Sequence, residues 1–209
     1  MTRRIAVIFS VLLTVELTAW AQDYPKMEVA VNYSFVNFVP ATVSNAADLN
    51  GGGGQFTYNF TKFLGIKADF QGYGSHAATV TVPAGPNVPR GPFSVTANGN
   101  LFTYLFGPQI KYHGKFAPFV EVLFGAAHSN VYSDVFKAAP AGSFVGSVNP
   151  SNNGFAMAAG GGLDIKVARV VAIRLAEFDY LLTRFGNPIT HNNPNQNSFR
   201  YNAGVVFQF

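Results

Sequence analysis

Few residues in this chain could do chemistry, and their spacing argues against a catalytic site. The four histidines are His76, His113, His128 and His191. His128 and Ser129 are adjacent, so on a strand they point to opposite faces and cannot act together as base and nucleophile. There is no Gly-x-Ser-x-Gly elbow. The run Gly51 to Gly54 lacks the Lys-Ser/Thr that completes a phosphate loop, and it reads as flexible loop feeding a strand. The absence of cysteine excludes disulfides and thiolate metal sites. The histidines all fall in turns, loops or strand ends and read as solvated groups. No catalytic residue, cofactor or metal is expected.

The remaining candidates are charges. Glu28, Lys67, Asp69, Glu121, Asp164, Arg174 and Arg200 each stand on the polar face of a segment that alternates apolar and polar residues. Eight such segments follow one another. They run from Lys26 to Phe38, Gly54 to Phe60, Leu64 to Tyr73, Asn100 to Ile110, Phe116 to His128, Phe155 to Ile165, Val170 to Leu182 and Phe199 to Phe209. In the fifth, Val120, Val122, Phe124 and Ala126 oppose Phe119, Glu121, Leu123 and Gly125. The seventh breaks phase, because Glu177 and Asp179 share parity with Ile173. A bulge near Ala176 would return Phe178 and Tyr180 to the apolar face. The alternative puts these acids above the bilayer, and the bulge is preferred.

The connections alternate in length. Thr61 to Phe63, Tyr112 to Lys115 and Lys166 to Arg169 are tight turns, whereas residues near 39–53, 75–99, 129–153 and 183–198 form long loops. Short turns at one end and long loops at the other are the pattern of a transmembrane barrel. Ala78 to Val82 with Phe93 to Ala97, and Val131 to Phe136 with Ser143 to Val148, are either hairpin extensions or an extra strand pair. The expected fold is therefore all-β: a closed antiparallel transmembrane barrel of eight strands, with ten as the alternative.

Composition agrees with this. Charged residues make up 11% of the chain, against 48% hydrophobic, where a soluble domain carries about 25% charged residues. A solvent-facing sheet of a soluble sandwich would need more charge than one or two per strand. Arg3 and Arg4, the apolar Ile5 to Leu13 and the small-x-small site Ala19-Trp20-Ala21 form a secretory signal peptide. The apolar run is too short to span as a helix, which takes about 20 residues. Residues 1–21 are expected to be removed, leaving 22–209 as the barrel domain. The mature charge falls from +4 to +3, too mild and scattered for nucleic acid.

The chain ends on Phe209, with Phe207, Val205 and Tyr201 behind it at period two. This resembles the terminal signal read by the barrel-assembly machinery. With Tyr104-Leu105-Phe106-Gly107-Pro108, Ala117-Pro118-Phe119-Val120-Glu121, Gly160-Gly161-Gly162-Leu163-Asp164 and Gly204-Val205-Val206-Phe207-Gln208-Phe209, the whole mature chain resembles the small outer-membrane β-barrel domain family. These are the OmpA-type and OmpX-type barrels and the opacity-like surface proteins. The resemblance implies eight strands, periplasmic turns and outer loops, with outer-membrane lipids and the assembly machinery as partners. No cell-wall-binding domain is expected, since nothing follows the last strand.

An eight-stranded barrel is just wide enough for its interior to be filled by side chains. The interior charges should therefore pair in a packed polar core. Glu121 and Arg174 lie at similar heights, separated by a strand whose inward residues are Ala158, Gly160 and Gly162. The expected pair is Glu121–Arg174, with Asp164 as second acceptor and Lys67–Asp69 on the facing wall. On the lipid face, Val122→Arg should harm folding far more than the lumen change Gly125→Ser. A structural or surface-interaction role is expected. A narrow pore for small solutes is the alternative, and a lipid-modifying enzyme ranks behind it for want of a matching site. The loops' external ligand stays open.

Overall fold

The computed structural model describes residues 24–38, 47–82, 84, 88, 90–130, 140–143, 153–185 and 195–209. Eight strands run in order: β1 (Met27–Phe38), β2 (Ala47–Asn59), β3 (Leu64–Val82), β4 (Phe93–Lys111), β5 (Phe116–Ser129), β6 (Asn153–Lys166), β7 (Val171–Phe185) and β8 (Gln196–Gln208). Each pairs antiparallel with its successor, and β8 returns to β1, so the sheet closes without an edge. The closing seam runs from Glu28↔Gln208 to Asn37↔Phe199.

The alternation seen in the sequence becomes an inside and an outside. Along β5, residues alternate between exposed and buried from Phe116 to Leu123. The outward set across the barrel includes Val31, Phe56, Ile66, Phe70, Phe102, Phe106, Val122, Phe124, Phe178 and Phe199, all exposed and apolar. A closed β-barrel can show such a surface to lipid, because the sheet leaves no open edge of backbone N–H and C=O groups.

The strands are longer than the alternation indicated. The pairs Ala78↔Ala97 through Val82↔Phe93 continue the β3–β4 ladder past an irregularity at Ser75/Ala78. These pieces are hairpin extensions, and the barrel has eight strands. Of the second pair of pieces, all but Ser143 lies outside the described residues. Gly51 to Gly54 is not a loop. It lies inside β2, with Gly51 paired to Ser34 on one side and Tyr73 on the other.

In β7, Leu163↔Ala176 is followed by Asp164↔Arg174, which leaves Leu175 unmatched. On the other side Arg174↔Gly204 jumps to Glu177↔Asn202. This one-residue bulge flips the phase. Arg174 faces inward below it, Glu177 and Asp179 face inward above it, and Phe178 and Tyr180 are exposed. It also sets Arg174 and Glu177 side by side, where regular alternation would have put them on opposite faces.

The tight turns close one end. In the β2–β3 turn, Phe60 N–H donates to the Leu64 carbonyl at 2.9 Å, and Thr61 Oγ1 accepts from the amides of Phe63 and Leu64. Backbone bonds also join neighbouring turns and ends: Lys111 to Phe63, Lys166 to Lys115, Gln208 to Val170, and Met27 with Phe209 in both directions.

Candidate functional site: a filled lumen

Among the described residues, ten buried lysine, arginine, aspartate and glutamate side chains of the strands fill the lumen. They are Lys67, Lys111, Arg174 and Arg200 against Glu28, Asp69, Glu121, Asp164, Glu177 and Asp179. All seven charges singled out in the sequence lie here. Lys111, Glu177 and Asp179 complete the set.

The contacts form one connected chain. At the turn end, Lys111 Nζ lies 2.5 Å from Glu28 and 2.6 Å from Asp164. Arg174 binds Asp164 side-on, Nε to Oδ1 at 2.7 Å and Nη2 to Oδ2 at 3.0 Å. Its Nη1 turns to Glu177 at 2.6 Å and to Gln55. Lys67 Nζ sits 2.9 Å from both Glu121 and Glu177. Glu177 accepts further bonds from Gln55 at 3.0 Å and Asn202 at 2.5 Å. Arg200 bridges Asp69 at 3.0 Å and Asp179 at 2.8 Å. Buried charges of this density survive only when paired and hydrogen-bonded.

The expected Glu121–Arg174 pair does not form. Glu121 is taken by Lys67 and Gln109, and Arg174 by Asp164 and Glu177. The lysine–glutamate link joins the two indirectly. Lys67 pairs with Glu121 and Glu177, while Asp69 receives Arg200 and Gln55. The small residues of β6 leave their space to other groups. A Cβ on Gly162 would lie 2.7 Å from Phe119 Cζ, and one on Gly160 would collide with Asp179. Phe119 points inward as a plate, with Arg174 Cζ 4.5 Å, Lys67 Nζ 5.4 Å and Lys111 Nζ 5.8 Å from its centroid. Cations attracted to a ring face add to the pairing.

His113 departs from the reading of a solvated histidine. It closes the turn end, with Nε2 3.2 Å from Glu28 Oε1 and Nδ1 2.8 Å from the Lys62 carbonyl oxygen. His128 lies in β5 beside Asn153 at 2.8 Å, and Ser129 is buried on the opposite face, so the two do not meet. His76 lies in β3, and His191 lies outside the described residues.

Asp69, Glu121 and Glu177 bring carboxylate oxygens within 4.8 Å of one another, a spacing that could hold a metal ion. The ammonium of Lys67 already stands 2.9 Å from two of the three, and Arg200 is on the third. A metal would have to displace both cations, so the donor set does not fit one.

The lumen is not polar throughout, as the sequence reading expected. Towards the loop end, Val36, Leu49, Tyr73, Leu101, Leu105, Leu123, Ala127, Ala156, Ala158, Leu181 and Phe185 form a buried apolar cluster. Leu101, Leu105, Leu123, Leu181 and Phe185 are each 0% exposed. Thr103 and Thr183 are buried between these residues, so the section is mainly apolar and closely filled. A smaller cluster, Ala30, Ala172 and Val206, lies among the charges near the turn end.

The "Outer membrane protein beta-barrel domain" family matches residues 7–209. The chain belongs to this family. Its strands are therefore those of an outer-membrane barrel, with turns at the periplasmic face and long loops outside. Two solved members of this architecture share the fold at low identity. The outer membrane protein OprG from Pseudomonas aeruginosa is 11% identical, with a TM-score of 0.55, over 89% of this chain and 97% of that one. Neisserial surface protein A (NspA) is 14% identical, with a TM-score of 0.52, over 90% of this chain and 100% of that one. No curated protein matches the sequence.

Proposed function

We propose that this outer-membrane barrel is a non-conducting, non-catalytic scaffold that holds its four outer loops at the cell surface for contact with partners. The apolar plug at the loop end of the lumen carries this reading. A narrow solute pore would need an open polar path, whereas the loop-end lumen is filled by buried side chains, Leu101, Leu105, Leu123, Leu181 and Phe185 with Thr103 and Thr183 between them. The separation of His128 from Ser129 supports the absence of catalysis. Planar-bilayer recording of the purified protein is expected to show no unitary conductance. Reproducible steps from the unmodified protein would replace this reading with that of a small-solute pore.

The route to the membrane belongs to the same proposal. Residues 1–21 act as a signal peptide cleaved after Ala21, and N-terminal sequencing of the mature protein should begin at Gln22. Tyr201, Val205, Phe207 and Phe209 present the outward pattern read by the barrel-assembly machinery. Phe209 also closes the β1–β8 seam through its backbone bonds to Met27. Deleting Phe209 should lower the heat-modifiable fraction in cells well beyond any loss in unassisted refolding into detergent. Equal losses in the two settings would leave Phe209 only its part in the seam, and an unchanged yield in cells would leave it neither role.

A further inference from the structure

The charges of the described residues are sorted by height. Four cations and six acids are inside the strands' lumen. Among the described residues, the outer-loop end carries two cations, Arg90 and Arg184, against one acid, Asp48. Among the described residues, the turn end carries five cations, Lys26, Lys62, Lys115, Lys166 and Arg169, and no aspartate or glutamate. Each tight turn contributes at least one. Among the described residues, no carboxylate lies in salt-bridge range of Lys62, Lys115 or Lys166.

These cations stand next to the apolar girdle. Lys62 is followed by exposed Phe63, Lys115 lies between exposed Tyr112 and Phe116, and Lys166 is followed by exposed Val167. Lys62 Nζ lies 5.0 Å from the centroid of the Phe63 ring. Backbone bonds from Lys166 to Lys115 and from Lys111 to Phe63 tie the turns into one rim. The positive charge is thus fixed at the level where aromatic residues meet phospholipid headgroups.

We infer that this rim binds the phosphate groups of anionic phospholipids in the periplasmic leaflet. The inference rests on the orientation of the barrel and on no role of the outer loops. Contact with the apolar girdle favours lipid over a more distant anionic polymer such as the cell wall. Clustered lysines at a membrane surface attract anionic lipid by a term that salt screens.

The test uses the mature protein in phosphatidylcholine bilayers doped with phosphatidylglycerol. Spin-labelled lipids report which lipid is held at the protein surface. The unmodified barrel is expected to prefer the anionic label by roughly fivefold or more at low salt, with the preference collapsing in high salt. The triple variant Lys62→Gln, Lys115→Gln, Lys166→Gln should lose most of the preference. The matching arginine triple should keep it, and Arg90→Gln with Arg184→Gln should leave it unchanged. Heat modifiability on gels selects folded samples in each case. Equal preference in the unmodified and glutamine-triple proteins would overturn the inference. So would sedimentation with purified cell wall that depends on these lysines without any lipid preference. Labelling of Lys115→Cys from outside intact cells would overturn the orientation itself, separately from the scaffold reading.

Discussion

Glu177→Ala is expected to lower folding stability in liposomes by about 3–5 kcal/mol, the cost of breaking a buried ion cluster from one side. Glu177 is the hub of the lumen. It lies 2.9 Å from Lys67 and 2.6 Å from Arg174, 3.7 Å from Arg200, and accepts from Gln55 and Asn202. Its loss strands parts of three cations and two amides in a fully buried site. The outcome for Asp179→Asn should differ, although Asp179 is also buried and carries the same charge. Six carboxylates face four strand cations, and Asp179 has Arg200 as its cation while its Oδ1 has no hydrogen-bond partner. Arg200 keeps Asp69 as a charge partner at 3.0 Å when Asp179 is neutralised, and the asparagine oxygen can still accept from its Nε. A loss of about 1–2 kcal/mol is expected there, the scale of one charged hydrogen bond. Equal losses at the two sites would mean that the lumen charges act as a diffuse field, with no hub.

The same geometry sets the result of two double-mutant cycles. Lys67→Met with Glu121→Gln should be strongly non-additive, because each single change leaves its partner buried and alone. Glu121→Gln with Arg174→Met should come closer to additivity, since the two are joined only in series through Lys67 and Glu177 and have no direct bond. Coupling as large in the second cycle as in the first would show that the pairing drawn from the coordinates is wrong.

The barrel was legible in the chain because alternation with period two, repeated eight times between alternately short and long connections, leaves little freedom once the sheet must close. What escaped has identifiable causes. Gly51 to Gly54 has no side chains to alternate, and glycine is depleted in strands, so its place inside β2 left no pattern. Lys111 stands one residue beyond the point where the β4 alternation was read to end. Its parity with Gln109 was the available signal. Glu177 and Asp179 needed the bulge at Leu175 before their side could be assigned. The ion pairing depends on barrel shear, which sets the relative heights of strands and is not contained in any one strand's pattern. The apolar plug was present as the inward parity of Leu105 and Leu123, overshadowed by the charges on the same face.

Val122→Arg should cost about 2–4 kcal/mol in folding equilibria with liposomes, the depth-dependent cost of a cation on the lipid face near the bilayer middle. Val122 lies midway along β5, paired across to Ala159, with Val120 and Phe124 exposed above and below it on the same face. An arginine there has no acid to meet and a long path to either headgroup region. The comparison needs a lumen change that does not itself strain the wall. Gly125→Ser cannot serve, although a tolerated change was expected there. A Cβ on Gly125 would collide with the Tyr104 carbonyl oxygen of the neighbouring strand. Thr103→Val is the sounder partner, because Thr103 is 0% exposed and its hydroxyl has no hydrogen-bond partner. Replacing an unsatisfied buried hydroxyl by a methyl removes a desolvation penalty, so stability should hold or rise by about 1 kcal/mol. Urea titrations of both variants, refolded into the same vesicles, give the two values directly. A Thr103→Val loss equal to that of Val122→Arg would mean that the two faces of the wall do not differ as lumen and lipid surfaces.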